Sequence, residues 1–138
     1  MTDNSNLQVV ERAYAAFKSG DVQTLLAQFS DDVSWNLPSI EHVRISGSRT
    51  GKANLADFFS TLAQDQESLM FEPTRFVAEG DLVVALGSYR WRVKATGREV
   101  VSDFAHVFTV NQGRIVRFQE FMDTAAFVAG YAGALATV

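Results

Sequence analysis

The strongest constraint on this chain is a change of hydrophobic period near its midpoint. Through Leu62 the large apolar residues recur every three or four positions, as Val10, Tyr14 and Phe17, then Leu25, Leu26 and Phe29, then Leu55, Phe58, Phe59 and Leu62. That spacing puts one apolar stripe on each of three helices. From Leu69 the period becomes two, interrupted by turn signals at Glu79-Gly80-Asp81, Thr96-Gly97 and Asn111-Gln112-Gly113. The pattern predicts four strands, over 69–78, 82–95, 99–110 and 114–122, and turns this short require each strand to run antiparallel to the one before it. Helices first and a meander afterwards is an α+β order.

Local signals place the boundaries. Ser5-Asn6-Leu7-Gln8 has the spacing of a capping box and predicts the start of the first helix. Gly20 suits the left-handed position that ends it, and Asp21 can cap the next. After the turn at Ser30-Asp31-Asp32, Val33, Trp35 and Leu37 alternate with Ser34 and Asn36, which predicts a short half-buried strand. Residues 38–51 are rich in Ser, Gly and Arg and read as a long loop bordering a site. A brief terminal helix is expected over 124–133.

Composition narrows the function classes. With 138 residues, a single domain over 1–138 is expected, large enough for a real core that eleven Phe can fill. A net charge of -4 and scattered Lys and Arg argue against nucleic acid and anionic membrane as partners. No apolar run reaches membrane-spanning length. The chain has no cysteine, which removes thiolate nucleophiles and thiolate metal sites. That absence and a polar start without a secretory pattern lead us to expect the cytoplasm. His42 and His106 lie far apart with no ligand spacing, and Gly47 and Gly51 lack the order of a phosphate loop, so neither a metal nor another cofactor is expected.

Strand parity then sorts the side chains. In the second meander strand Val83, Ala85, Gly87, Tyr89, Trp91 and Val93 share one face and Ser88, Arg90, Arg92 and Lys94 the other, so the aromatic set should face the helices. In the last strand Val116, Phe118, Glu120 and Met122 share a side, opposite Ile115, Arg117, Gln119 and Phe121. Glu120 is thus a carboxylate among apolar neighbours, a costly placement found more often at functional sites. The third strand stays open. Phe104, His106, Phe108 and Val110 alternate with Asp103, Ala105, Val107 and Thr109, and both sets are largely apolar. One face lining a pocket and the other meeting a second copy of the chain would explain this, and a homodimer is expected on that ground.

Three phrases carry a family resemblance that covers nearly the whole chain: Ala16-Phe17-Lys18-Ser19-Gly20-Asp21, then 29–35 from Phe29 through Trp35, then 104–116 from Phe104 through Val116. In them the chain resembles the nuclear transport factor 2-like superfamily, and within it the SnoaL-like, ketosteroid-isomerase-related proteins. The resemblance implies a cystatin-like cone, a curved antiparallel sheet wrapped around three N-terminal helices, commonly dimeric, on a scaffold that hosts enzymes and binders alike. Ketosteroid isomerases use an aspartate base with a tyrosine and a protonated aspartic acid as oxyanion donors. Aligned on the quoted phrases, the base falls at Leu37, the acid at Ala105 and the tyrosine at Ala13, with Tyr14 rotated about 100° away. Alkyl groups move no protons, so that mechanism is disfavoured. The arginine of the limonene epoxide hydrolase-like branch falls at Val101, which disfavours that chemistry too. The polyketide cyclase-like branch needs an acidic pocket residue, a part Asp103 can fill.

The candidates follow from both lines. Asp103 and Glu120 can form an acid and base pair, although Glu120 can equally pair with Arg117 or Arg49 and Asp103 can equally sit hydrated at the sheet rim. His106 suits a general base at neutral pH, but a core or dimer-face position is the alternative, and Tyr14 can offer its hydroxyl or simply pack. Trp35, Leu37, Phe58, Tyr89 and Trp91, with Ala105, Phe118 and Met122, are expected to line a pocket for a small apolar molecule. The functions in view are cofactor-free proton transfer, passive ligand binding, and an interaction module whose pocket is only core.

Overall fold

A computed structural model describes residues 3–133, so the first two residues of the polar start lie outside it. Four helices and six strands follow one another as α1 (Asp3–Ser19), α2 (Val22–Ala27), β1 (Phe29–Asn36), β2 (Ser48–Thr50), α3 (Lys52–Asp65), β3 (Gln66–Glu79), β4 (Leu82–Val93), β5 (Glu99–Asn111), β6 (Arg114–Met122) and α4 (Thr124–Tyr131). The strands form one sheet in the order β2-β1-β6-β5-β4-β3. All neighbours are antiparallel except β1 and β6, which run parallel, with Trp35 beside Phe118.

The expected helices form, with corrected boundaries: α2 ends at Ala27, so Phe29 and the expected turn at Ser30-Asp31-Asp32 belong to β1. α1 already includes Asp3 and Asn4, so Ser5 is inside the helix and not at its cap, because nothing in those two upstream residues stops a helix. Asn6 is instead buried, and its Nδ2 donates to the Gly80 carbonyl at 3.0 Å, fastening α1 to the β3–β4 turn. Gly20 takes φ +76°, and the Asp21 carboxylate accepts from the Thr24 N–H at 3.1 Å to cap α2. Leu55, Phe58 and Leu62 bury the inner side of α3.

The meander matches its expected limits closely, and the earlier part of the chain differs more. Residues 38–51 are not a plain loop. Ser48–Thr50 forms the edge strand β2, and Ile40, Val43 and Ile45 are buried. The Ser46 hydroxyl accepts from the Ile40 N–H at 2.9 Å and donates to the Val43 carbonyl at 2.7 Å, satisfying backbone that the sheet does not reach. In β6 strict alternation fails: Ile115 is buried although parity put it outside. The ladder steps from Val110↔Ile115 to Thr109↔Arg117, so an extra residue at Val116 turns both Ile115 and Phe118 inward.

Gly87 matters to the interior. A Cβ there would meet Phe104 Cζ at 2.6 Å and Pro73 Cα at 2.8 Å, so its absence lets the Phe104 ring lie across β4 beside the shifted register of β3. The concave face of the sheet and helices α1, α3 and α4 enclose one cluster of buried apolar side chains.

Candidate functional site

The ladder decides which face of β5 looks inward. Ala85, His106 and Glu120 stand opposite one another on β4, β5 and β6. Side chains directly opposed in a ladder share a face, so His106 takes the orientation that Ala85 and Glu120 already have. This corrects two expectations. Asp103 is exposed, opposite Ser88, and Ala105 lies on the outer face between Leu86 and Phe121. Neither borders the cavity. Because both faces of β5 are apolar, alternation could not set the phase, and alignment on the quoted phrases chose it wrongly by one residue.

Inside, four polar side chains form a chain across the sheet. Tyr14 Oη lies 2.7 Å from His106 Nδ1, His106 Nε2 lies 3.1 Å from Glu120 Oε2, and the Tyr89 hydroxyl donates to that same oxygen at 2.8 Å. His106 is 5% exposed and Glu120 9%. With Glu120 ionised and the imidazole neutral, the ring proton sits on Nε2 and Nδ1 accepts from the Tyr14 hydroxyl, so every bond in the chain has a donor and an acceptor. Among the described residues Glu120 Oε1 accepts no hydrogen bond, while Oε2 accepts two. The expected alternative partners of Glu120 are elsewhere: Arg117 is exposed, and Arg49 donates to the Ile45 and Arg44 carbonyls and lies over the Phe58 ring.

Burial and the nearby Glu120 charge hold the Tyr14 and Tyr89 phenols far above the ordinary tyrosine range. For Tyr89 the hydrogen bond to Glu120 adds in the same direction. Both tyrosines are therefore lasting proton donors and not bases. Burial also raises Tyr131, against the opposing effect of its bond from Gln66.

These groups border a cavity of about 80 Å³ with almost wholly apolar walls. Tyr14, His106 and Glu120 line it, as do Trp35, Leu37, Phe58, Tyr89, Trp91 and Phe118 from the expected set. Met122 does not; it packs half-buried against the core near the end of β6. Trp35 stacks on Phe118 at 3.9 Å between ring centroids, and the His106 ring lies flat on Phe104 at 4.0 Å. Sequence reasoning missed several other lining residues, among them Ile45, Phe71, Phe108, Gln66 and Phe127. Gln66 sits where α3 passes directly into β3, and Phe127 in a helix without a clear apolar stripe, so neither carried a periodic signal. A wider groove of about 740 Å³ between α1, α3 and β3 adjoins the cavity and shares Phe17, Phe59, Gln66, Phe71 and Trp91 with it.

A curved sheet closed by helices over an aromatic cavity is the nuclear transport factor 2-like class, and the comparisons place the chain within it. The chain belongs to the SnoaL-like domain family, which it matches over residues 10–118. It is 30% identical over 121 residues to the uncharacterised protein Rv0034 of Mycobacterium tuberculosis, covering 88% of this chain and 91% of that one. The crystal structure of a nuclear transport factor 2-like protein from Burkholderia xenovorans is similar with a TM-score of 0.86 and 31% identity, over 94% of this chain and 98% of that one. TerC, co-crystallised with polyporic acid, is similar with a TM-score of 0.80 and 25% identity, over 91% and 97% of the two chains. No helix among the described residues is long and apolar enough to cross a membrane.

Proposed function

We propose that this chain, one SnoaL-like domain over residues 1–138, binds a small, mostly apolar molecule in the cavity and moves a proton on it without a cofactor. The observation that carries this reading is Glu120: a buried carboxylate on a cavity wall, with Oε2 held by Tyr89 and His106 and Oε1 left without a partner. A base must be held still and must keep a lone pair for the proton it takes, and this one meets both requirements. In the proposed step Oε1 accepts a proton from an acidic C–H of the ligand and returns it at a second position, so that no atom is gained or lost. Tyr14 and His106 position the carboxylate through the hydrogen-bonded chain. Asp103, exposed on the other face, takes no part.

The cavity alone is smaller than the pockets that enclose drug-sized ligands, and the adjoining groove supplies the remaining length. The ligand thus has an apolar end beside Glu120 and a further part in the groove. The small molecule in the TerC co-crystal is a precedent within the same fold.

The protein also forms a homodimer in this proposal, through the convex face of the sheet, where Leu86 and Phe121 are exposed on either side of Ala105. A cytoplasmic location accompanies it.

Passive binding is the second reading. It is favoured by Ala13 and Leu37, alkyl side chains on the cavity wall where the resemblance to ketosteroid isomerases would require a donor and a base. Proton NMR of acetophenone in D₂O separates the two. Proton transfer predicts that the wild type speeds exchange of the methyl protons by about 100-fold over Glu120→Gln. Equal exchange rates with the two proteins would exclude the enzymatic reading and leave the passive one.

A further inference from the structure

The cavity and the wider groove beside it share part of their walls, so the shared side chains stand between the two spaces. Several of them belong to the packed core. Leu62, Gln66 and Trp91 are buried, and the Gln66 amide is tied to the Tyr131 hydroxyl at 2.6 Å. Phe17, Phe59 and Phe71 are only half-buried. They come from three elements: Phe17 from the last turn of α1, Phe59 from α3 and Phe71 from β3. Between centroids the Phe17 ring lies 5.0 Å from Phe71, 6.1 Å from Phe59 and 6.4 Å from Trp91. Rings at these separations are in packing contact, which leaves no opening among them for a further ring. A ligand that reaches Glu120 from the groove therefore needs one of them to move.

The three half-buried rings are not equally free. Phe71 is held from within by Tyr14, Phe104 and His106, at 5.8, 5.4 and 6.3 Å between centroids. Phe59 packs on Phe58 and Trp35 at 5.2 and 5.5 Å. Among the described residues Phe17 meets no aromatic ring besides Phe59, Phe71 and Trp91, all three members of the same partition. It also lines the groove, whose volume of about 740 Å³ has room for a phenyl ring in a second rotamer. We propose that Phe17 is the moving leaf of an aromatic gate: its ring swings into the groove, cavity and groove become one passage, and a flat ring compound enters by it. The inference rests on the cavity being the ligand site, and it identifies the side chain that admits the ligand. Once the ligand is seated, the same ring lies against its waist, between the apolar end beside Glu120 and the part that stays in the groove.

The gate is tested with fluorobenzene, a single flat ring, whose exchange between solution and protein is followed by ¹⁹F NMR. A gate sets the barrier to entry and exit and leaves the bound state of so small a probe unchanged. Phe17→Ala should therefore raise the association and dissociation rates together by about tenfold and change the affinity by less than about threefold. Phe17→Leu, which keeps a branched apolar side chain on α1, should act in the same direction to a smaller extent, and Phe17→Trp should slow both rates. Tyr131→Phe marks the competing route. It removes the partner of the Gln66 amide and loosens α4, so it accelerates entry beneath α4 but not entry past Phe17. Equal rates in the wild type and all three Phe17 variants, or an acceleration by Tyr131→Phe as large as that expected of Phe17→Ala, would overturn the gate while leaving the cavity as a binding site. Fluorobenzene that binds neither the wild type nor Phe17→Leu would overturn the cavity reading together with this one.

Discussion

The two faces of the sheet at β5 and β6 begin from the same kind of sequence and end in different chemistry. On the concave face His106 and Glu120 are polar groups sealed among rings, and each keeps its place through a specific hydrogen bond. On the convex face Asp103 is exposed and the apolar neighbours Leu86 and Phe121 meet solvent. Burial converts a polar side chain from something tolerated into something that must be satisfied, and satisfaction fixes its geometry. A carboxylate in water has no preferred direction, whereas Glu120 has one oxygen committed and one free.

The largest expected difference between the faces is in packing. Phe118→Ala removes a ring stacked on Trp35 and leaves a cavity, which should cost about 3–5 kcal/mol in urea unfolding. Phe121→Ala, at 51% exposure on the other side of the same strand, should cost well under half of that in the monomer. Similar costs at both positions would mean that the convex face is as firmly packed as the concave one.

Association comes next. Phe121→Glu puts a charge at the centre of the proposed dimer contact and should give a monomer by sedimentation at micromolar concentration, where the wild type sediments as a dimer. A wild type that is monomeric under the same conditions would remove the dimer and leave the convex patch unexplained.

Tyr89→Phe tests the polar chain itself. It deletes one of two hydrogen bonds to a buried carboxylate and should cost about 2 kcal/mol, with the ring's packing against Trp91 and Phe104 retained. Asp103→Asn, by contrast, should change stability by less than about 0.5 kcal/mol.

The pH dependence has a definite sign. Unfolded tyrosines ionise near 10.0, and in the folded chain burial holds the protons of Tyr14, Tyr89 and Tyr131 to higher pH. Above that value the unfolded chain binds fewer protons than the folded one, so stability is complete below it and falls as pH rises. Absorbance at the tyrosinate band should therefore appear together with loss of near-ultraviolet circular dichroism. Tyrosinate formation well before unfolding would mean that the phenols are hydrated.

Much of the fold was legible because it rests on local periodicity. The meander limits, the inward face of β4 and the place of Glu120 beside Phe118 all follow from alternation and turn residues. The site was legible in parts. Trp35, Phe58, Tyr89, Trp91, Phe118 and Glu120 were readable as cavity residues because each belongs to an element with one clear apolar side, and Leu37 lies just past the end of β1. Asp103 and Ala105 were misread because β5 has two. Tyr14 was placed on the right helix, but whether its hydroxyl packs or bonds depends on His106, which is 92 residues away.

By itself, the sequence determined what neighbours along the chain can settle: where helices give way to strands, which side of a strand with contrasting faces is buried, and which chemistries lack their side chains. Tertiary structure alone decided how β1 joins β6, the inward turn of His106, the bulge that buries Ile115, and the meeting of Tyr14, His106, Glu120 and Tyr89. The reason is physical. A ladder's register couples strands that are remote in the chain, and a hydrogen bond between them exists only once the register is set.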